Sequence, residues 1–236
     1  MPRDVLASVR QELEENVDPK TRDGVQRFFK EEVRFHGVKS EAVRKIAAKH
    51  FQEIKGREKA EIFSLCRDLL ETGYGEEASI AFLWAYSLRR SFKPADFDVF
   101  EGWLESYVDN WAKCDTLCNH TLGSFLEMYP EFMENLKSWA RSENRWLRRA
   151  SAVTLILPAR KGLFLEEAFA ISDILLLDKD DMVQKGYGWL LKEASKKNQE
   201  NVFDFVMSRK ADMPRTALRY AIEKMPSDMK KKAMAR

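Results

Sequence analysis

Apolar residues recur along the chain at the three- to four-residue spacing of amphipathic helices. No segment keeps the two-residue alternation of a half-buried strand, and prolines and glycines fall where helices would start or end. The pattern therefore predicts helices throughout. The predicted helices cover residues 4–16, 20–35, 39–54, 57–72, 76–92, 95–110, 113–128, 130–141, 144–157, 163–176, 180–197, 199–208, 213–224 and 226–234.

The rhythm of these helices predicts how they pack. Short helices with short connections form antiparallel pairs, and here the pairs recur about every 35–40 residues, a period typical of HEAT-like repeats. Repeats of this kind stack into a curved solenoid. We predict an all-α, HEAT-like helical-repeat solenoid with a concave basic face, formed by a single domain over residues 1–236. A compact helical bundle is the alternative.

The predicted helix 180–197 carries a tryptophan outside its apolar stripe. Counting 100° per residue puts Trp189 on the side opposite the core residues. Lys185 precedes it by four residues and Lys192 follows it by three, so the indole stands in a row of lysines. Two glycines, Gly186 and Gly188, lie within the turn before the indole and would let another backbone approach closely. Packing of Trp189 on a neighbouring helix is the structural alternative.

The stretch "NRWLRRA" places two arginines on the predicted helix 144–157. Arg148 faces away from the apolar stripe. Arg149 lies at the edge of the stripe, where its stem can pack and its guanidinium can project. A guanidinium held in this way can bind a phosphate through two hydrogen bonds. An ion pair with a neighbouring carboxylate explains the same spacing equally well.

The stretch "DNWAKCDTLCNHTLG" sets an aspartate four residues after a tryptophan, Asp115 after Trp111. Helical spacing aligns Asp115 with apolar positions of the predicted helix 113–128. A buried carboxylate is costly unless it has partners or a chemical task. Alternatively, Asp115 caps the start of that helix, where an acid is favourable. Trp111 itself continues the apolar stripe of the preceding helix, as a core residue would.

Composition excludes several classes of protein. The chain has 44% hydrophobic and 33% charged residues and a net charge of +2, which is typical of a globular protein. No apolar run approaches the roughly 20 residues of a membrane span, and the charged start lacks a signal region. We therefore expect a cytoplasmic protein that does not bind membranes. Cys114, Cys118 and His120 do not share one helical face, so we expect neither a metal nor a cofactor.

Charge is unevenly distributed along the chain. The first 110 residues hold most of the acids, whereas residues 137–161 contain one acid, Glu143, among many cations. The C-terminal stretch is also basic. The second half is thus a candidate surface for a polyanion, or alternatively a solvated helical surface with a basic tail.

Four stretches together resemble a known family. The spacing Trp-x-x-x-Asp, "NRWLRRA", "QKGYGWLLKEASKKN" and, near the start, "VRFHGVKSEAVRKIA" occur in the same order in the AlkD-like DNA alkylation repair glycosylases. The likeness spans roughly residues 20 to 225. It implies a HEAT-like solenoid that excises cationic N3- and N7-alkylated purines from duplex DNA. It also implies catalytic roles for Asp115, Trp111 and Trp189.

The resemblance and the basic pattern together indicate residues that contact DNA. The resemblance implies Arg149, Lys192 and Phe28, and the pattern adds Arg148 and Lys185. Lys192 stands where many members have arginine. The lysine keeps the positive charge but cannot hold a phosphate through two parallel hydrogen bonds. Phe28 stands where some members have tyrosine. The phenylalanine keeps a stacking surface but lacks the hydroxyl group.

Two other functions fit a helical solenoid. One is a HEAT-like DNA-binding protein without catalysis, expected of relatives that lack the aspartate. The other is a protein-interaction solenoid, which the low net charge favours and the basic second half disfavours. We expect a monomeric glycosylase whose partner is double-stranded DNA containing alkylated bases.

Overall fold

The computed structural model describes residues 4–235, which fold into α-helices with short 3-10 and π turns and contain no β-strand. The all-α prediction is confirmed. Contacts between residues divide the chain into two compact units, residues 1–117 and residues 118–236. Neighbouring helices pack on one another within each unit, as expected of a HEAT-like arrangement. The single domain and the concave basic face stay predictions.

In the first unit, α5 is the central helix. It packs against α3, α4 and α7, and α1 packs against α3. The buried Trp84 on α5 donates its indole N–H to the carbonyl oxygen of Ala47 on α3 at 2.9 Å, which fixes the two helices together. The helices are α1 (Val5–Glu15), α2 (Pro19–Val25), α3 (Ser40–Ile54), α4 (Lys59–Leu70), α5 (Gly75–Ser87), α6 (Asp96–Tyr107) and α7 (Trp111–Thr116), with 3-10 turns at Gln26–Phe28 and Arg89–Ser91.

The predicted helix 20–35 is wrong in its second half. Helix α2 ends at Val25, a 3-10 turn follows, and the chain to Lys39 is irregular. The buried carboxylate of Glu76 accounts for part of this path, because it accepts hydrogen bonds from the backbone N–H groups of residues 36, 37 and 38 at 2.8–3.0 Å. Those donors are satisfied by a side chain at the start of α5 instead of by helix carbonyls.

Gly37 makes this path possible. Its φ of +93° is in the left-handed region that favours glycine, and an added Cβ would lie 2.3 Å from the Cβ of Arg22. Glu77, beside Glu76 on α5, accepts hydrogen bonds from the ring of His36 at 3.1 Å and from the Nε of Arg10 at 3.0 Å. Two adjacent buried carboxylates therefore anchor the irregular segment that precedes α3.

In the second unit, α13 is the central helix and packs against α10, α11, α12 and α15. The core stripe predicted for it is confirmed, since Val183, Leu190 and Ala194 are fully buried. The buried Tyr187 donates its hydroxyl to the carbonyl oxygen of Leu176 at 3.1 Å. The helices are α8 (Gly123–Met128), α9 (Met133–Trp139), α10 (Arg145–Val153), α11 (Ile156–Arg160), α12 (Leu165–Ile174), α13 (Asp181–Ala194), α14 (Gln199–Arg209), α15 (Arg215–Ala221) and α16 (Ser227–Met234), with a 3-10 turn at Pro130–Phe132.

Two predicted helices are interrupted. The segment predicted as 113–128 begins earlier, at Trp111, and contains a π-helical turn at Leu117–Leu122 between α7 and α8. The segment predicted as 144–157 ends at Val153, and α11 follows at once. Asp180 caps α13, because its side chain accepts a hydrogen bond from the N–H of Met182 at 2.8 Å.

Close contact between α13 and α15 depends on the second glycine of "GYG". A Cβ added at Gly188 would lie 2.7 Å from the Cβ of Tyr220 and 2.8 Å from the carbonyl oxygen of Ala217. A Cβ at Gly186 would make only ordinary contacts, the nearest at 3.4 Å from the Cγ of Arg149. The prediction that glycine here admits another backbone is confirmed at Gly188.

Candidate functional site

Helix α7 carries Trp111 and Asp115, and Asn110 caps it. The side-chain oxygen of Asn110 accepts hydrogen bonds from the N–H groups of Ala112 and Lys113 at 3.0 and 3.1 Å. Helix α6 has already ended at Tyr107, so Trp111 is the first residue of a new helix and does not continue the earlier stripe. The alternative in which Asp115 caps the helix is therefore wrong, because Asp115 lies one turn inside it.

Trp111 and Asp115 share one side of α7. Their spacing of four residues aligns them along the helix, and both are half-buried. The α-helical spacing that aligned Asp115 with apolar positions further along stops at Thr116, because the π turn Leu117–Leu122 winds more widely. Single π turns of this kind occur often at functional sites.

The indole of Trp111 is held by two phenylalanines. Its N–H donates to the carbonyl oxygen of Phe28 at 3.1 Å. Its rings stack on Phe29, with centroids 5.2 Å apart and planes at 16°. Phe29 in turn contacts Phe35, with centroids 5.4 Å apart. The 3-10 turn and the irregular segment after it thus fix the orientation of the indole.

Phe28 uses its backbone to hold Trp111 and leaves its side chain in solvent. The side chain is 74% exposed, which is unusual for a phenylalanine. Sequence reasoning selected Phe28 but missed Phe29, because the segment was predicted as a continuous helix. The adjacent pair of phenylalanines before a charged turn was the available signal.

On α13, Trp189 lies outside the core as predicted, and it is half-buried. The lysines beside it are engaged in ion pairs. Lys185 Nζ lies 2.9 Å from an oxygen of Asp181, and Lys192 Nζ lies 3.0 Å from an oxygen of Glu223. The predicted lysine row therefore exists, but each of these two charges is paired with a carboxylate.

Arg149 is more deeply placed than an edge position implies. It is 4% exposed, and its guanidinium donates to the carbonyl oxygen of Met182 near the start of α13. The expected projection of this guanidinium is therefore wrong. The stem of Arg149 passes Gly186, where an added Cβ would lie at ordinary contact distance from its Cγ. Arg149 links α10 to α13.

Arg148 also makes structural contacts. Its Nε lies 2.6 Å from an oxygen of Asp178, and one terminal nitrogen donates to the carbonyl oxygens of Ser142 and Glu143, each at 2.9 Å. Three separate acceptors thus occupy one guanidinium. Arg148 stabilises the turns that precede α10 and α13, and its predicted contact with DNA stays a prediction.

Ion pairing distinguishes the two basic stretches. Cations between residues 137 and 161 are largely paired with carboxylates or bound to carbonyls, whereas several on α15 and α16 have no ion pair to a carboxylate within residues 4–235. The pairs of the first stretch are Lys137–Glu134, Arg145–Asp180, Arg148–Asp178, Arg160–Glu193 and Lys161–Glu127. The cations without such a pair are Arg215, Arg219, Lys230, Lys231 and Lys232.

Across the described residues, no three His, Cys, Asp or Glu side chains come together in a way that would hold a metal ion. Cys114 and Cys118 are buried, and neither takes part in a disulfide within residues 4–235. Among the helices within residues 4–235, none combines the length and the apolar character needed to cross a membrane.

Comparison with known proteins decides the family. The family model described as "DNA alkylation repair enzyme" matches residues 9–225. The chain belongs to the DNA alkylation repair enzyme family. The resemblance drawn from the four sequence stretches is thereby confirmed, and membership in this family implies DNA as the partner.

A solved structure shares the fold of this DNA alkylation repair family member. It is described as a "Predicted DNA alkylation repair enzyme from Enterococcus faecalis", and it superposes with a TM-score of 0.80 at 15% sequence identity. The match covers 90% of this chain and 98% of that chain. At this identity the likeness shows the fold alone. No curated protein matches the chain.

Proposed function

We propose that the protein is a monofunctional DNA glycosylase that hydrolyses the N-glycosidic bond of N3- and N7-alkylated purines in duplex DNA. It acts as a cytoplasmic monomer, without a metal or cofactor. Membership in the DNA alkylation repair enzyme family supports a role in alkylation repair. Asp115 supports the type of reaction.

The chemistry needs a carboxylate more than a general acid. An N3- or N7-alkylated purine is cationic and leaves readily. Positive charge then develops on the deoxyribose, shared between the ring oxygen and the anomeric carbon. A carboxylate fixed beside that sugar stabilises the charge, and does so more strongly where water is scarce. Asp115 takes this role and orients the water that attacks the anomeric carbon.

The position of Asp115 is the observation that carries this proposal. The cap of α7 is supplied by Asn110, so the carboxylate is not required at the helix start. It is half-buried one turn beyond a tryptophan whose orientation is fixed by Phe28 and Phe29. A partly desolvated carboxylate beside an aromatic surface suits a cationic sugar.

The other candidate residues handle the DNA backbone. Trp111 and Trp189 offer flat surfaces for the sugars, and the exposed ring of Phe28 offers a stacking surface. Lys185 and Lys192 contact phosphates after leaving their carboxylate partners. Arg148 completes the set of cations that the proposal assigns to DNA contact, whereas the buried Arg149 positions α13 for that contact.

The decisive experiment is release of 7-methylguanine and 3-methyladenine from methylated duplex DNA. Wild type releases both bases, and Asp115→Asn lowers the rate about 100-fold or more, the scale of a lost electrostatic contact to a transition state. Affinity for the duplex is retained. Glu105→Gln, which neutralises an exposed carboxylate on α6, is the matched control and keeps the wild-type rate.

Other outcomes identify the alternatives. Salt-dependent duplex binding without any base release by wild type would identify a non-catalytic DNA-binding member. If wild type neither binds the duplex nor releases a base, a protein-interaction role is favoured.

A further inference from the structure

Lys192, beside Trp189, is held by helix α15 and the turn that follows it. Its ammonium lies 3.0 Å from Glu223 and 5.6 Å from the centre of the Tyr220 ring. Only 14% of its side chain is exposed. A lysine that binds phosphate is usually extended into solvent, whereas this one is drawn against its own protein.

Glu223 has a fixed position. It lies two residues after the end of α15, and its backbone N–H donates to the carbonyl oxygen of Tyr220 at 3.2 Å. Close approach of α15 to α13 at Gly188 brings this turn within reach of Lys192. The hydrogen bond from Lys192 lowers the pKa of Glu223 below its ordinary value, so the carboxylate is ionised at neutral pH.

A phosphate that approaches Lys192 meets an ammonium whose charge is already shared with the Glu223 carboxylate, so the two anions compete for it. The second oxygen of Glu223 lies 3.4 Å from Lys224 Nζ, so the carboxylate has another cation nearby when Lys192 leaves. Departure of Lys192 therefore does not leave an isolated negative charge. The remaining carboxylate still repels an approaching phosphate.

We propose that Glu223 is an affinity-determining residue that competes with DNA phosphate for Lys192. This inference rests on the proposed function, because it takes duplex DNA as the ligand of the α13 surface. Lys192 exchanges Glu223 for a phosphate when DNA binds, and the exchange weakens binding relative to a lysine without a carboxylate partner. Glu223 touches neither the sugar nor the base and acts through Lys192.

A double-mutant cycle tests the exchange. Duplex affinity is measured by fluorescence anisotropy over a range of salt for wild type, Glu223→Gln, Lys192→Ala and the double variant. Glu223→Gln binds about two- to fivefold more tightly, the range expected when a partly exposed ion pair is removed. The slope of the logarithm of affinity against the logarithm of salt concentration steepens by the amount expected for about one additional released counterion. In the Lys192→Ala background, the gain in duplex affinity from Glu223→Gln shrinks to the gain produced by the charge control, Asp173→Asn.

Asp173→Asn is the matched control for charge. It also removes one negative charge from the second unit and frees a cation, Arg209, which pairs with Asp173. It does not alter the surroundings of Lys192. Its effect on affinity measures the general consequence of one lost negative charge, against which the effect of Glu223→Gln is compared.

A second measurement needs no DNA. Mild acetylation followed by peptide mass spectrometry reports how accessible each lysine is. Lys192 reacts faster in Glu223→Gln than in wild type, whereas Lys185, which keeps its partner Asp181, reacts at an unchanged rate. Thermal unfolding of each variant shows that the fold is retained.

Three results would overturn the inference. The first is a gain in duplex affinity from Glu223→Gln that is equal with and without Lys192. The second is weaker duplex binding by Glu223→Gln than by wild type. The third is an acetylation rate of Lys192 that Glu223→Gln leaves unchanged. Absence of duplex binding by wild type would instead overturn the proposed function, and the role of Glu223 with it. The two failures are distinguishable because wild-type binding is measured separately from the coupling.

Discussion

Trp111 stacks on Phe29 with ring centroids 5.2 Å apart, while its indole N–H donates to the carbonyl oxygen of Phe28. The ring of Phe28 is 74% exposed, whereas Phe29 is half-buried. Two adjacent phenylalanines thus differ in what they contribute. Phe29 supports the tryptophan with its side chain, and Phe28 supports it with its backbone.

Phe29→Ala is expected to destabilise the protein and lower base release. Loss of a stacked, half-buried ring lowers the free energy of unfolding by about 1–2 kcal/mol, less than for a fully buried phenylalanine. The released indole no longer presents one surface beside Asp115, so the rate falls severalfold. Urea unfolding and the excision assay measure the two effects.

Phe28→Ala is the matched control for this prediction. It keeps the carbonyl that holds Trp111, so stability changes by no more than about 0.5 kcal/mol. Duplex affinity falls, because the exposed stacking surface is lost. Equal destabilisation by both variants would contradict the separate roles of the two rings.

Helix content and the core stripe of α13 were predictable because they depend on local periodicity. Val183, Leu190 and Ala194 share a face at 100° per residue, and all three are fully buried. The irregular segment after Phe28 was not predictable in this way. Its path depends on Glu76, which is about forty residues distant in sequence yet binds three consecutive backbone N–H groups.

The candidate site was predictable in part. The tryptophan–aspartate spacing on α7 was recognised, but the cap at Asn110 was not, since two adjacent polar residues both fit a helix start. The π turn that follows has no sequence signature in periodicity. Arg149 was placed at the edge of the apolar stripe because the helical phase gives the direction of a side chain but not how deeply it is buried. The packing of α10 on α13 decides its burial.

The two glycines of "GYG" are expected to respond oppositely to alanine. Gly188→Ala forces the new Cβ against the backbone of Ala217 and the Cβ of Tyr220, and destabilises the protein by about 1–3 kcal/mol. Gly186→Ala makes only ordinary contacts and gains helix propensity, so stability is unchanged or higher by up to about 1 kcal/mol. Denaturant midpoints of the two variants test the contrast; similar values would contradict the close packing of α13 on α15.

Asn110→Ala is expected to weaken α7 without touching the carboxylate. Two backbone N–H groups lose their acceptor, which costs about 1 kcal/mol of stability. Base release falls moderately, because Trp111 and Asp115 are oriented by this helix. Asn110→Ser retains an oxygen at the cap and restores most of the stability and the rate. An unchanged urea midpoint in Asn110→Ala would show that the cap is dispensable.

The buried carboxylate of Glu77 is expected to account for part of the loss of protein stability at acid pH. Burial raises its pKa, but hydrogen bonds from His36 and Arg10 outweigh burial and hold the pKa below its ordinary value of 4.5. A carboxylate with a lowered folded-state pKa contributes stability that is present above its unfolded value and lost as pH falls through the folded value. The stability contributed by Glu77 is therefore full near neutrality and declines below about pH 4.5.

Glu77→Gln is expected to remove that component. The difference in free energy of unfolding between wild type and Glu77→Gln is largest at about pH 6 and shrinks steadily toward about pH 3, because wild-type Glu77 becomes protonated there. Urea unfolding at intervals of pH measures the difference directly. Glu105→Gln, at an exposed position in the same unit, serves as the comparison and keeps the acid dependence of wild type. A wild-type advantage over Glu77→Gln that stays constant across this range would mean that the charge on Glu77 does not stabilise the segment before α3.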